Sequence, residues 1–198
     1  PAYENAIVGD TGLIDGLMSQ KVIRDLHKFK KSGEPFFLTA GFITNHLPFV
    51  APQRFWDMYP KERISLPDNN YMPKDAPKIA DAKWYELRGY DGIAKKGPVD
   101  DETAKNLIRG YYATVSYVDF LIGNILSSLD ELGLAENTIV VLVTDHGFNL
   151  SEHTHWCKFT PFKTAMRVPL IIRAPGVQPA NTSALSELVD IYPTLAEL

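Results

Sequence analysis

The stretch from about Asp101 to Leu132 constrains this chain more than any other. Leu107, Tyr111, Val115, Val118, Ile122, Ile125, Leu129 and Leu132 recur at intervals of 4, 4, 3, 4, 3, 4 and 3. Positions so spaced stay on one side only of a helix. The spacing predicts one long helix of roughly eight turns or more, packed by its Tyr111/Val115/Val118/Ile122 stripe and ended by Gly133. A second helix is expected over residues 15–31, from Leu17, Met18, Val22, Ile23, Leu26 and Phe29, with Asp15 as N-cap and Gly33 as stop.

Three short apolar runs read as buried strands: Phe36–Phe42, Ile139–Thr144 and Leu170–Arg173. Helices alternating with such strands predict an α/β fold, with a largely parallel sheet flanked by helices on both faces. In sheets of that kind the functional groups gather at the carboxyl ends of strands. Between Pro48 and Pro98 lie seven of the fourteen prolines and no sustained period. That stretch is too long for a simple connector. It reads as a surface excursion with short helical turns, or as the border of a binding cleft. A closing segment, Ser186–Leu198, has a helical pattern with no Gly or Asn stop signal, and the chain opens without Met, so a piece of a longer protein is expected.

Composition removes several function classes. With 20 Lys and Arg against 24 Asp and Glu, the net charge is −4, and no basic run makes an electrostatic case for nucleic acid or anionic lipid. No apolar stretch reaches the roughly 18 residues of a membrane helix. Cys157 is the single cysteine, which excludes an internal disulfide and a multi-cysteine metal cluster.

Two segments just after predicted strands concentrate the chemistry. One is Gly41–Phe49, with His46; the other is Thr144–Lys158, which holds three of the five histidines, His146, His153 and His155. Asp145 at a strand's end is well placed to hold a hard cation, and the neighbouring His146 imidazole can add a nitrogen. Gly147 would allow a sharp turn behind them. Taken singly, Asp-His-Gly is a common turn, Glu152-His-Thr-His155 a common solvated loop, and Lys158 a surface lysine.

Taken together, and in this order, the segments resemble a known family. Pro35-Phe-Phe-Leu with His46-Leu-Pro-Phe49, Tyr111–Asp119, Thr144-Asp-His-Gly147, Glu152-His153 with Trp156-Cys-Lys158, Val168-Pro-Leu-Ile171, Ala174-Pro-Gly176 and Leu188–Leu195 are similar to the sulfatase branch of the alkaline-phosphatase superfamily. Within it they are most like the iduronate-2-sulfatase group and its bacterial relatives. The likeness spans nearly the whole chain except roughly residues 61–98. It implies that residues 1–198 are part of a single sulfatase catalytic domain, lacking the N-terminal nucleophile segment and the C-terminal part. It also implies an enzyme, a sulfuric ester hydrolase acting on a sulfated carbohydrate such as a sulfated uronic acid, in the lysosome, the periplasm or outside the cell.

The resemblance further implies a calcium ion gripping one sulfate oxygen, with Asp145 and His146 as two of its ligands. Many sulfatases have Asn where His146 stands; the iduronate-2-sulfatase group has His. Lys158 matches a lysine that contacts the sulfate, and His46 a histidine near the sulfate and the leaving-group oxygen. Those roles make physical sense, because cleaving an S–O bond puts charge on the leaving oxygen. The side-chain ends of His46, Asp145, His146 and Lys158 should then lie within roughly 10 Å of a common point, although up to 112 residues separate them.

The chain departs from the family in its nucleophile, a formylglycine made from Cys or Ser in a Cys/Ser-x-Pro-x-Arg motif. Cys157 is followed by Lys158-Phe-Thr-Pro161, and no serine begins such a motif. The paired aspartates that complete the calcium site are also missing. The chain as given is therefore expected to be inactive and to bind calcium weakly or not at all, with Cys157 a packed residue. The alternatives are a phosphodiesterase or phosphonate hydrolase of the same superfamily, using two metals, and a non-catalytic protein that binds sulfated glycans. Asn149-Leu-Ser151 and Asn181-Thr-Ser183 fit the glycosylation pattern.

Overall fold

The computed structural model describes residues 1–81 and 85–198. Its elements in chain order are β1 (Tyr3–Ala6), α1 (Ile14–Ser32), β2 (Phe49–Pro52), α2 (Gln53–Trp56), α3 (Tyr85–Arg88), α4 (Asp101–Glu131), β3 (Val140–Val143), β4 (Asn149–Leu150), β5 (Trp156–Cys157), α5 (Lys163–Met166), β6 (Leu170–Arg173) and α6 (Ile191–Glu197). Single 3-10 turns punctuate the links. Among the described residues no helix is long and apolar enough to cross a membrane.

The long helix forms as its spacing predicts. Asp100 caps α4, its Oδ1 accepting the Thr103 N–H at 2.9 Å, and the Asp101 and Glu102 side chains follow at the positive end of the helix dipole. Gly133, at φ 62°, ends it in the left-handed conformation that a side chain disfavours. The stripe is only partly the buried face: Val118 is buried and Tyr111 packs against the core. Val115 is 40% exposed and Ile122 half-buried, whereas Leu107, Ala113, Tyr117, Val118 and Leu121 are buried. The small residues decide this. Ala113 and Gly110 let β2 and α2 come close, with Phe49, Ala51, Phe55 and Trp56 filling the contact.

Helix α1 packs against α4 through Val22 and Leu26, the latter meeting Leu129 and Leu134. Gly33 stops it in the left-handed conformation (φ 70°), its N–H reaching the Phe29 carbonyl. Asp15 does not cap it. Leu13 holds that position, and Asp15 lies inside the first turn, buried. The buried carboxylate instead accepts the N–H groups of Ile43 (2.9 Å) and Thr44 (2.8 Å), tying α1 to the turn that presents His46.

Among the described residues the strands form three two-stranded ladders, β1–β2 parallel, β3–β6 antiparallel and β4–β5 antiparallel, and no larger parallel sheet. Leu142, Val143 and Ile171 on the β3–β6 ladder remain exposed. β3 and β6 match two of the predicted strands within two residues at each end. The third, Phe36–Phe42, is not a strand. Its residues alternate outward and inward, with Phe37 exposed and Phe36 and Leu38 turned toward Leu26 and Leu129. Such alternation marks extended backbone, but no described strand offers it a ladder of hydrogen bonds.

After β2, the described residues of the proline-rich stretch carry short helical turns, including α2 and α3, with Phe55, Trp56, Ile64 and Leu87 packed into the core. Leu87 of α3 is buried there with Phe49, Leu107, Phe148, Trp156 and Cys157. Arg88 braces the following loop through the carbonyls of Ala94 (2.5 Å) and Gly97 (2.7 Å). This packing sets α3 directly beside β5, and so beside Lys158.

Candidate active site

His46 and Lys158 meet. The Lys158 ammonium hydrogen-bonds to Nε2 of His46 across 112 residues of sequence, and its side chain is mostly buried. On the other side of His46, the His146 ring stands edge-on with centroids 6.4 Å apart. His146 Nε2 lies 3.8 Å from Asp145 Oδ2. The four residues singled out in the sequence thus form one continuous group.

A fifth was missed. Glu86, on α3, places Oε1 2.9 Å from His46 Nε2 and 3.2 Å from Lys158 Nζ. No sequence signal marks it, because its helix is one turn long and lies in a stretch without period.

Each member is fixed by local structure. The His46 N–H closes a turn onto the Ile43 carbonyl at 3.0 Å, in the segment that Asp15 holds. Its Nδ1 lies 3.0 Å from the Leu47 carbonyl, which can only accept, so Nδ1 carries hydrogen and Nε2 faces the cluster. Nε2 can accept a hydrogen from Lys158 or give one to Glu86.

His146 repeats the arrangement: Nδ1–H donates to the Gly147 carbonyl at 2.8 Å, leaving the Nε2 lone pair toward Asp145. That is the tautomer a metal ligand needs, fixed by the hydrogen bond on the other nitrogen. The Asp145 side chain is 82% exposed, and its Oδ1 accepts the His146 N–H at 3.0 Å. A carboxylate oxygen and an imidazole lone pair 3.8 Å apart suit two positions around a hard cation, but calcium takes 6–8 ligands. Among the described residues no group of three or more His, Cys, Asp or Glu is placed to hold an ion.

Gly147 is required for a different reason from the turn expected of it. A Cβ there would lie 2.0 Å from the Thr164 carbonyl oxygen, and its N–H donates to the Ala165 carbonyl at 2.8 Å. The backbone behind Asp145-His146 is thus clamped against α5. Gly147→Ala should destabilise the chain by about 3 kcal/mol, the upper part of the usual range for forced backbone shifts. The check is a lower urea midpoint at unchanged slope; a midpoint equal to wild type contradicts the clamp.

The segment from Asn149 to Lys158 is a tight loop. Ser151, His153, Thr154 and Cys157 all have positive φ, a strained conformation for non-glycine residues that surrounding bonds must hold. They do hold it. Asn149 is fully buried and donates to the Cys157 carbonyl (2.7 Å) and Thr160 Oγ1 (3.0 Å). The Ser151 N–H reaches the His155 carbonyl, and Glu152 Oε2 accepts the Leu150 N–H. His155 is buried against Phe162, on which His153 also packs, with ring centroids 4.3 Å apart. A buried Asn149 also removes that position as a glycan acceptor in the folded chain.

Cys157 is fully buried. Burial, and next the Glu86 carboxylate, push its thiol up from an ordinary 9.0 to about 12. The neutral thiol is the form the fold accepts, so this group's contribution to stability is complete below about pH 9 and is lost as pH rises toward 12. Iodoacetamide at pH 8 should leave Cys157 unmodified in the native chain and alkylate it in denaturant, read by intact mass. Rapid native alkylation contradicts the packing.

With the site described, likeness to known proteins becomes informative. The family model described as Sulfatase matches residues 2–198. The chain belongs to the sulfatase family. Iduronate 2-sulfatase of Mus musculus is 34% identical over 225 residues, covering 98% of this chain and 41% of the relative. The chain thus spans less than half the length of that relative. Among solved structures, the sulfatase-family protein yidJ of Bacteroides fragilis superposes with a TM-score of 0.68 at 27% identity, over 91% of this chain and 36% of that one. A phosphonate monoester hydrolase from Silicibacter pomeroyi gives 0.71 at 25% identity, over 88% and 35%. These neighbours make the fold the α/β fold of that family, although the strands described form only small ladders.

Proposed function

We propose that this sulfatase-family chain carries the leaving-group side of a sulfuric ester hydrolase site, acting on a sulfated carbohydrate. What supports this reading above all is the meeting of Lys158 with His46, with His146 and Asp145 alongside. A sulfate ester has a tetrahedral anion and a leaving oxygen that gains negative charge as the S–O bond breaks. Lys158 supplies a partly desolvated cation for a sulfate oxygen, where its charge counts for more than in bulk water. His46, whose Nε2 faces the cluster, is suited to protonate the leaving oxygen.

Asp145 and His146 are the residues that would contribute to a calcium site, whose ion would neutralise charge on the sulfate. The attacking group and the remaining ligands would come from segments of the family that this chain does not contain. A sulfated uronic acid is the favoured substrate, from the likeness to iduronate 2-sulfatase.

The phosphonate monoester hydrolase neighbour keeps a second reading open, hydrolysis of phosphonate or phosphate esters, for which a pair of metal ions is one general route. The Lys158 ammonium favours sulfate, since it is a fixed cation where that reading calls for another metal. The test is substrate profiling of the full-length protein: a sulfated uronate disaccharide and an aryl sulfate against a phosphonate monoester and a phosphodiester. Faster turnover of the sulfate esters supports the proposal; turnover of the phosphorus esters alone overturns it.

A further inference from the structure

Glu86 puts a carboxylate where a sulfate-binding site would be expected to have only donors. Its Oε1 is shared between Lys158 Nζ at 3.2 Å and His46 Nε2 at 2.9 Å. Its Oε2 is buried and has no hydrogen-bond partner among the described residues, so its polar hold rests on Oε1. The backbone leaves it little choice of place. Leu87, the next residue, is buried in the main core together with Cys157, the residue before Lys158.

A lysine has four rotatable side-chain bonds, and a lone ammonium at a site's edge would sample many positions. An ion pair that is about four-fifths buried on both sides restricts that freedom far more than a surface pair does. From this, and resting on the sulfatase reading above, we infer that Glu86 is a positioning residue: it holds the Lys158 ammonium and the His46 imidazole at one point for the substrate. It touches neither sulfur nor leaving oxygen. It also offsets the charge of Lys158, which weakens ground-state attraction for a sulfate while keeping the cation in the geometry of reaction.

That combination separates positioning from mere structural support. In the full-length protein, Glu86→Gln removes the charge and keeps the shape. Its kcat should fall about 10²-fold, the scale of a misplaced reacting group. Its KM, and the inhibition constant of inorganic sulfate, should stay level or fall, because the cation is no longer offset. A variant that had only lost local structure would bind sulfate more weakly. A variant with wild-type kcat, or with weaker sulfate binding alongside the lost turnover, overturns the inference.

A second measurement needs no sulfatase activity. Competitive amine labelling of the full-length protein, read by peptide mass, should modify Lys158 several-fold faster in Glu86→Gln than in wild type. Exposed Lys74 should be unchanged and sets the reference rate, while a Cys157 thiol still protected from iodoacetamide reports that the fold is intact. If wild type hydrolyses no sulfate ester, the functional reading falls while labelling still decides whether Glu86 holds the pair. Equal Lys158 labelling in the two chains overturns the inference in every case.

Discussion

Asp145→Ala in the full-length protein should abolish metal-dependent turnover altogether. On the proposed reading Asp145 and His146 are the two cation ligands this chain contributes, and Asp145 is the charged one. A hard cation such as calcium draws most of its binding energy from carboxylate oxygens. Without Asp145 the His146 Nε2 lone pair, fixed by the Nδ1–H bond to Gly147, has no anionic neighbour 3.8 Å away. The change should cost little stability, since the side chain is exposed and its bonds are to its own turn. An unchanged urea midpoint with no residual calcium-stimulated turnover is the expected pair of results. Retention of calcium-dependent rate would remove Asp145 from the site.

Lys158→Ala should depress turnover by about 10²–10³, the order of magnitude for loss of one donor aimed at developing charge. The loss should appear mainly in kcat, because on the proposed reading the cation faces the transferring group, and Glu86, 3.2 Å away, partly offsets its charge in the ground state. Steady-state rates on an aryl sulfate measure this. A change confined to KM would make Lys158 a substrate-binding residue only.

The parts of this account differ in how far the amino-acid order reveals them. The α4 helix is plain because large apolar residues recur every three or four positions. Its buried face was placed only in part because the reading weighs size, and here Ala113 and Gly110 admit β2 and α2 while Val115 faces out. The extended run at Phe36–Phe42 shows the right composition for a strand, but strandness is a property of pairs, and pairing is not written in one segment. Asp15 looked like a cap because short acidic residues serve there; its actual partners lie 28 and 29 residues on.

The site divides the same way. His46, Asp145, His146 and Lys158 sit in segments whose order resembles a family, so their proximity could be expected. Glu86 is one of 24 acidic residues, in a stretch with no period, and only the packing of Leu87 brings it to Lys158. A residue that acts through its neighbours leaves no spacing signal of its own.

The most direct test of the central claim is sulfate release from an aryl sulfate by the full-length protein, with a formylglycine-forming enzyme co-expressed, before and after a chelator. The account predicts steady release of sulfate, lost on chelation and restored by calcium, and absent in Asp145→Ala. A protein inert toward every sulfate ester that cleaves phosphonate or phosphodiester bonds with two bound metals would contradict it.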